Sequence, residues 1–136
     1  MELSGTESRI ADESHLLQVR EILRERGREA GLGIVDQTKL ITAGSELARN
    51  ILKYAGDGGG RMIVEVIHET QRRGLKAVFE DQGPGIADVD MAMRDGFSTG
   101  GSLGLGLPGS SRLVDEVTID TGPSKGTRIT ITKWGR

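Results

Sequence analysis

Apolar positions recur at helical spacing through residues 14–30 (SHLLQVREILRERGREA), at Leu16, Leu17, Val19, Ile22 and Leu23, with charge on the other face. Gly31 and Gly33 punctuate the end of this predicted helix. A second stripe, Leu40, Ile41, Ala43, Leu47, Ile51 and Tyr54, predicts a helix capped by Asp36 and running to about Ala55. Beyond the glycine loop at 56–60 the period changes to two. Residues 62–70 (MIVEVIHET) and 75–80 (LKAVFE) read as strands joined by a turn at Arg73-Gly74. Residues 117–121 and 127–133 (TRITITK) predict a second hairpin around Pro123-Ser-Lys-Gly126. Residues 5–11 suit a short edge strand and 88–95 a short helix. Residues 107–115 suit a further helix, with Pro108 tolerated in its first turn. No repeat, linker or low-complexity tail interrupts the series. The predicted fold is α+β: a two-layer sandwich, helices on one face of a mixed, mostly antiparallel sheet, as one domain over residues 1–136.

Composition narrows the function. The hydrophobic fraction of 35% with few aromatics implies a core of Leu, Ile, Val and Ala. Phe79 and Trp134 belong to that core. A net charge of −2 gives no reason to expect nucleic acid or an anionic membrane surface as partner. With no cysteine and two distant histidines, His15 and His68, neither disulfides nor a thiolate or histidine metal site is expected. No apolar run approaches the ~18 residues of a membrane span. The polar, acidic N-terminus is unlike a secretion signal, so a soluble cytoplasmic protein is expected.

The 21 glycines cluster after residue 55, where chemistry is concentrated. Glu46 and Asn50 lie four apart and share a helical face. Their oxygens supply a base and a Mg²⁺ ligand side by side, although an exposed polar face would look the same. Arg49 and Lys53 flank them and are expected to be solvated rather than to meet phosphate oxygens. Asp81, followed by Gly83 and Gly85, ends a strand on a turn where backbone approaches a flat ligand. Its carboxylate can accept a hydrogen bond from an exocyclic amine such as adenine's. The same residues are also ordinary turn chemistry. Residues 97–109 (FSTGGSLGLGLPG) present successive N–H groups before a helix, a nest suited to phosphate. Ser98, Thr99, Gly100, Gly101, Ser102, Gly104, Leu105 and Gly106 form that candidate loop. No Lys or Arg lies between Asp95 and Arg112, so phosphate charge must be met by amides, hydroxyls and Mg²⁺, or by the distant Arg49 or Lys53 if these are not solvated. Gly104, Gly106 and Gly109 match a dinucleotide fingerprint, but no strand immediately precedes them and too little chain follows. A P-loop and the two-lobed kinase signatures are absent.

Taken in order, these segments and Gly126-Thr127 resemble the boxes of the GHKL ATPases (gyrase, Hsp90, histidine kinase, MutL). The resemblance covers residues 8–134. SELARNI (45–51), EDQGPGI (80–86), GFSTGGSLGLGLPG (96–109) and the RLVDE after it look most like the RsbT-type serine/threonine kinases, related to the RsbW and SpoIIAB type. The resemblance implies ATP and Mg²⁺ as cofactors. It implies Glu46 as general base, Asn50 as Mg²⁺ ligand and Asp81 as adenine reader, with Gly83 and Gly85 making room. It implies Gly104 and Gly106 as lid glycines and Thr127 as the hydroxyl assisting Asp81. Some SpoIIAB-type relatives carry an arginine where this chain has Ser102, so cationic help from the lid is not expected here. The implied substrates are STAS-domain antagonist proteins. A PP2C-type phosphatase is an implied further partner, and sigma-factor binding is the alternative activity. Arg24, Arg26 and Arg28 read as a solvated helix face, or as part of a partner surface.

Overall fold

Alternate residues of four strands turn apolar side chains toward one side, and two long helices cover them. The computed structural model describes residues 5–55, 58–83, 107–121 and 126–135. Its elements are β1 Thr6–Ile10, α1 Ser14–Glu29, α2 Ile34–Tyr54, β2 Gly60–Glu69, β3 Arg72–Asp81, α3 Leu107–Leu113, β4 Glu116–Thr121 and β5 Thr127–Trp134. The sheet order is β1-β2-β3-β5-β4. All four pairings are antiparallel, the strictest form of the mostly antiparallel sheet read from the sequence. Ile10, Met62, Val64, Leu75, Ala77, Phe79, Ile129 and Ile131 pack against Leu16, Val19, Leu23, Leu40, Ala43, Leu47 and Ile51. The predicted 88–95 helix lies outside the described residues.

Two local expectations need correction. Asp36 does not cap α2. The helix starts at Ile34, behind an extended Gly33, so Asp36 falls within the first turn. There its carboxylate faces the positive helix end. It also lies 3.5 Å from Nζ of Lys133, a buried lysine on β5. Nor does Gly74 make the hairpin turn. Glu69 pairs with Arg72, so the turn is Thr70-Gln71. Gly74 sits inside β3 opposite Trp134, where a Cβ would come within 2.7 Å of the indole Cε3 and of the Lys133 carbonyl oxygen. The glycine is there because an aromatic ring lies over the strand. Gly31 does end α1, at φ 84°.

Both histidines and the tryptophan have structural surroundings. His15 Nδ1 accepts the Ala11 N–H at 2.9 Å at the start of α1, whereas His68 is exposed on β2. Trp134 is 7% exposed, donates from Nε1 to Glu116 and is covered by the Arg72 guanidinium 3.9 Å from the ring centroid.

At Gly44 of α2 both helices and the sheet meet closely. A Cβ there would lie 2.4 Å from Leu23 Cδ1 and 3.3 Å from Phe79 Cζ. Gly44→Val therefore overpacks a closed core and lowers stability by about 1–3 kcal/mol. A urea midpoint equal to wild type would refute this junction.

Candidate functional site

The candidate site is built at one end of the sheet, where β2 begins, β3 ends and α2 finishes. Register places Gly60, Asp81, Thr127 and Thr121 in one row across β2, β3, β5 and β4. Asp81 shares strand parity with Leu75, Ala77 and Phe79, so its carboxylate turns toward the helix layer. One carboxylate oxygen accepts the Gly83 N–H at 2.8 Å, and the Thr127 N–H also donates to the group. Burial pushes its pKa above the ordinary carboxylate value, against the pull of those two hydrogen bonds. The result is a partly desolvated acceptor with a fixed direction.

Glycines keep the space around Asp81 narrow. A Cβ on Gly60 would lie 2.3 Å from the Glu80 carbonyl oxygen and 3.1 Å from Asp81 Cβ. It would also lie 3.0 Å from Ile51 Cγ2. A Cβ on Gly83 would lie 2.7 Å from Ala55 Cα, the residue that ends α2. Gly126 adopts φ 77° with its Cβ position 2.4 Å from the Asp81 carbonyl oxygen. Thr121 fixes this corner: its hydroxyl donates to the Gly126 carbonyl at 2.8 Å and lies 3.0 Å from the Thr127 hydroxyl. Gly60 and Thr121 were not among the residues expected from the sequence. Gly60 reads there as the end of a loop, and Thr121 gains meaning only from its register with Thr127.

Glu46 and Asn50 project from α2 one to two turns before its end, both partly exposed. Asn50 precedes Ile51, the residue that packs beside Gly60 near Asp81. Arg20 of α1 donates from Nε to the buried Ser45 hydroxyl at 3.2 Å, tying the two helices together just before Glu46. Arg49, expected to be solvated, is exposed and also pairs with Glu46 (Nη1 to Oε1, 2.9 Å). Both side chains remain near half exposed, so the pair contributes only about 0.3–0.5 kcal/mol. Gly85, Ser98, Thr99, Gly100, Gly101, Ser102, Gly104, Leu105 and Gly106 lie outside the described residues. The structure thus joins Asp81, Gly83 and Thr127 directly and sets the helix bearing Glu46 and Asn50 beside them.

A cleft of ≈ 330 Å³ lies at this end but is lined by Glu7, Arg9, Arg61 and Glu80, on the sheet face opposite to the one the Asp81 carboxylate takes. A larger one, ≈ 480 Å³, lies at the hairpin end near Gly31, His68 and Arg73 and holds none of the expected site residues. Among the described residues no group of three or more His, Cys, Asp or Glu could hold a metal ion. The donor set fits Mg²⁺ only as an ion taking one oxygen from Asn50 and the rest from phosphates and water. No helix among the described residues is long and apolar enough to cross a membrane.

Comparison with known proteins places the chain in a family. Residues 35–134 match the family of histidine kinase-, DNA gyrase B-, and HSP90-like ATPases. The chain is 46% identical over 128 residues to the serine/threonine-protein kinase RsbT of Bacillus subtilis, covering 94% of this chain and 95% of that one. It is 30% identical over 101 residues to an anti-sigma F factor of Bacillus licheniformis, covering 71% and 68%. Among solved structures, the RsbU and RsbW domains of a Mycobacterium tuberculosis protein superpose with TM-score 0.65 at 21% identity. That match covers 97% of this chain and 33% of the other. The catalytic domain of histidine kinase ThkA gives 0.55 at 13%, covering 97% and 98%. At these identities both structures speak to the fold alone. The chain belongs to the histidine kinase-, gyrase B- and HSP90-like ATPases and, within them, to the RsbT-type serine/threonine-protein kinases.

Proposed function

We propose that this chain is a cytoplasmic Mg-ATP-dependent kinase that phosphorylates a serine or threonine of STAS-domain antagonist proteins in a bacterial, stressosome-like partner-switching pathway. When free of them it activates a PP2C-type phosphatase. The observation carrying this reading is the Asp81 carboxylate, half desolvated and aimed by two backbone N–H groups, at the end of the helix that bears Glu46 and Asn50. In this reading Asp81 accepts the exocyclic amine of adenine, and Gly60 and Gly83 let β2 and the end of α2 close in around it. Thr127, with its hydroxyl beside that of Thr121, assists Asp81. Gly85 and residues 98–106, outside the described residues, take the base-side and phosphate-side roles that the resemblance implies for them. Asn50 would hold Mg²⁺, which would offset the charge of the phosphates.

The transfer is a displacement at phosphorus. The protein hydroxyl oxygen bonds to the terminal phosphorus as the bond to the ADP oxygen breaks, and the hydroxyl proton passes to Glu46. Purified chain, Mg²⁺ and ATP labelled on the terminal phosphate are to be incubated with the STAS-domain proteins encoded beside it. Label on a STAS serine or threonine, lost with Glu46→Ala, is the expected result. ATP bound without transfer would overturn it. The likeness to an anti-sigma F factor supports a second reading, ATP-dependent capture of a sigma factor, and a sigma-factor pull-down separates the two.

A further inference from the structure

We propose that Arg49 recognises the terminal phosphate of ATP, and that without nucleotide it is parked on Glu46. The inference rests on the proposed kinase site and gives a specific role in it to a residue expected from the sequence to be solvated.

Three observations carry it. First, positions 46, 49, 50 and 53 form one stripe of α2, and Arg49 Nη1 already lies 2.9 Å from Glu46 Oε1. A hydroxyl that gives its proton to Glu46 must at the same moment be bonding to the terminal phosphorus. That phosphate therefore lies within a few ångströms of the Glu46 carboxylate, about 3–3.5 Å separating the reacting atoms. A guanidinium that reaches the carboxylate also reaches the phosphate. Second, the whole segment between Asp95 and Arg112 contains no Lys or Arg, so the glycine-rich loop brings no cation of its own. Third, two neighbouring basic side chains among the described residues are engaged elsewhere or set further along. Arg20 Nε is bonded to Ser45, and Lys53 Nζ is 5.9 Å from the Tyr54 ring centroid, a turn beyond Arg49.

Arg49 suits the exchange. Its planar fork matches phosphate oxygens in pairs, which an ammonium cannot do. Its present pair is exposed on both sides, 45% and 40%, and therefore weakly held. Arrival of the terminal phosphate draws the guanidinium away and leaves the Glu46 carboxylate unpaired, ready to accept a proton. ADP has no such phosphate, so Arg49 stays on Glu46 and the base stays engaged. Arg49 thereby links the identity of the nucleotide to the readiness of the base.

The test measures binding of fluorescent ATP and ADP analogues to the full chain with Mg²⁺. Arg49→Ala weakens ATP by about tenfold, the effect of losing one charge-assisted pair, and leaves ADP unchanged. Arg49→Lys recovers part of the ATP affinity, because it keeps the charge but not the fork. Glu46→Gln removes the parking charge and tightens ATP severalfold with no change for ADP. Equal weakening of ATP and ADP by Arg49→Ala, or no weakening of either, overturns the role of Arg49 while leaving the nucleotide site in place. A chain that binds neither nucleotide, or whose Asp81→Asn variant binds both as wild type does, overturns the site reading and this inference with it.

Discussion

Glu46→Ala retains ATP binding and loses phosphoryl transfer by about 10²–10⁴-fold, the usual contribution of a positioned general base. The two effects separate because Glu46 meets the incoming hydroxyl and not the nucleotide. It stands on a helix anchored elsewhere, through Leu40, Ala43, Leu47 and Ile51 in the core and through the Arg20–Ser45 bond. Trimming a partly exposed carboxylate from that surface disturbs no packing. The checks are nucleotide affinity by fluorescence and transfer by labelled phosphate on the same preparation. Parallel loss of both activities would sink the assignment of Glu46 as base.

Asp81→Asn acts on the other half of the function. It weakens ATP binding by about 100-fold, on the order of 3 kcal/mol, because an amide in place of the carboxylate aims a donor where an acceptor is needed. The same change stabilises the empty protein. The pKa of Asp81 is raised in the fold above 3.8 because burial penalises its charged form. A carboxyl with a raised folded pKa helps the fold most at low pH, where it is protonated. That help is lost as pH rises through the folded value. At neutral pH the wild-type chain therefore carries a buried charge that the amide variant lacks, so the variant unfolds at a temperature at or above wild type. The advantage shrinks as pH falls toward 3.8 and below. Unchanged ATP affinity in Asp81→Asn would refute the base-reading role. A variant markedly less stable than wild type at neutral pH would show that the carboxylate serves the fold instead.

Much of this site could be read before any coordinates, and the reasons are physical. Asp81 stands out only through its order with the other segments, since D-x-G-P-G by itself is ordinary turn chemistry, and helical periodicity alone puts Glu46 and Asn50 on one face. The core stripes of α1 and α2 and the alternation of β2, β3 and β5 follow from apolar spacing, except that Leu17 of the α1 stripe turns out 65% exposed. What the chain conceals is whatever depends on a partner far away in sequence. Gly60 looks like the tail of a loop until β2 is registered against β3, and Thr121 looks like a strand end until it meets Gly126 and Thr127. Gly74 imitates a turn residue, but its small size answers to Trp134, near the far end of the chain. Asp36 imitates a cap, but the extended Gly33 starts the helix earlier. The link between Arg49 and Glu46 is within reach of the i, i+3 rule. It is easily passed over because exposed charges on a helix are so often solvated.

Glu80, the residue before Asp81, points to the opposite, open side of the sheet, where its carboxylate lies between the guanidinium groups of Arg61 and Arg128. Arg61 also reaches Glu7 on β1. Both arginines are about half exposed, so added electrolyte screens this chain of charges far more than it screens the hydrogen bonds of Asp81 within the fold. The end of β3 is thus braced from behind by interactions that weaken with ionic strength. Concentrated salt loosens the seat of the adenine-reading carboxylate without competing for any group that touches the nucleotide.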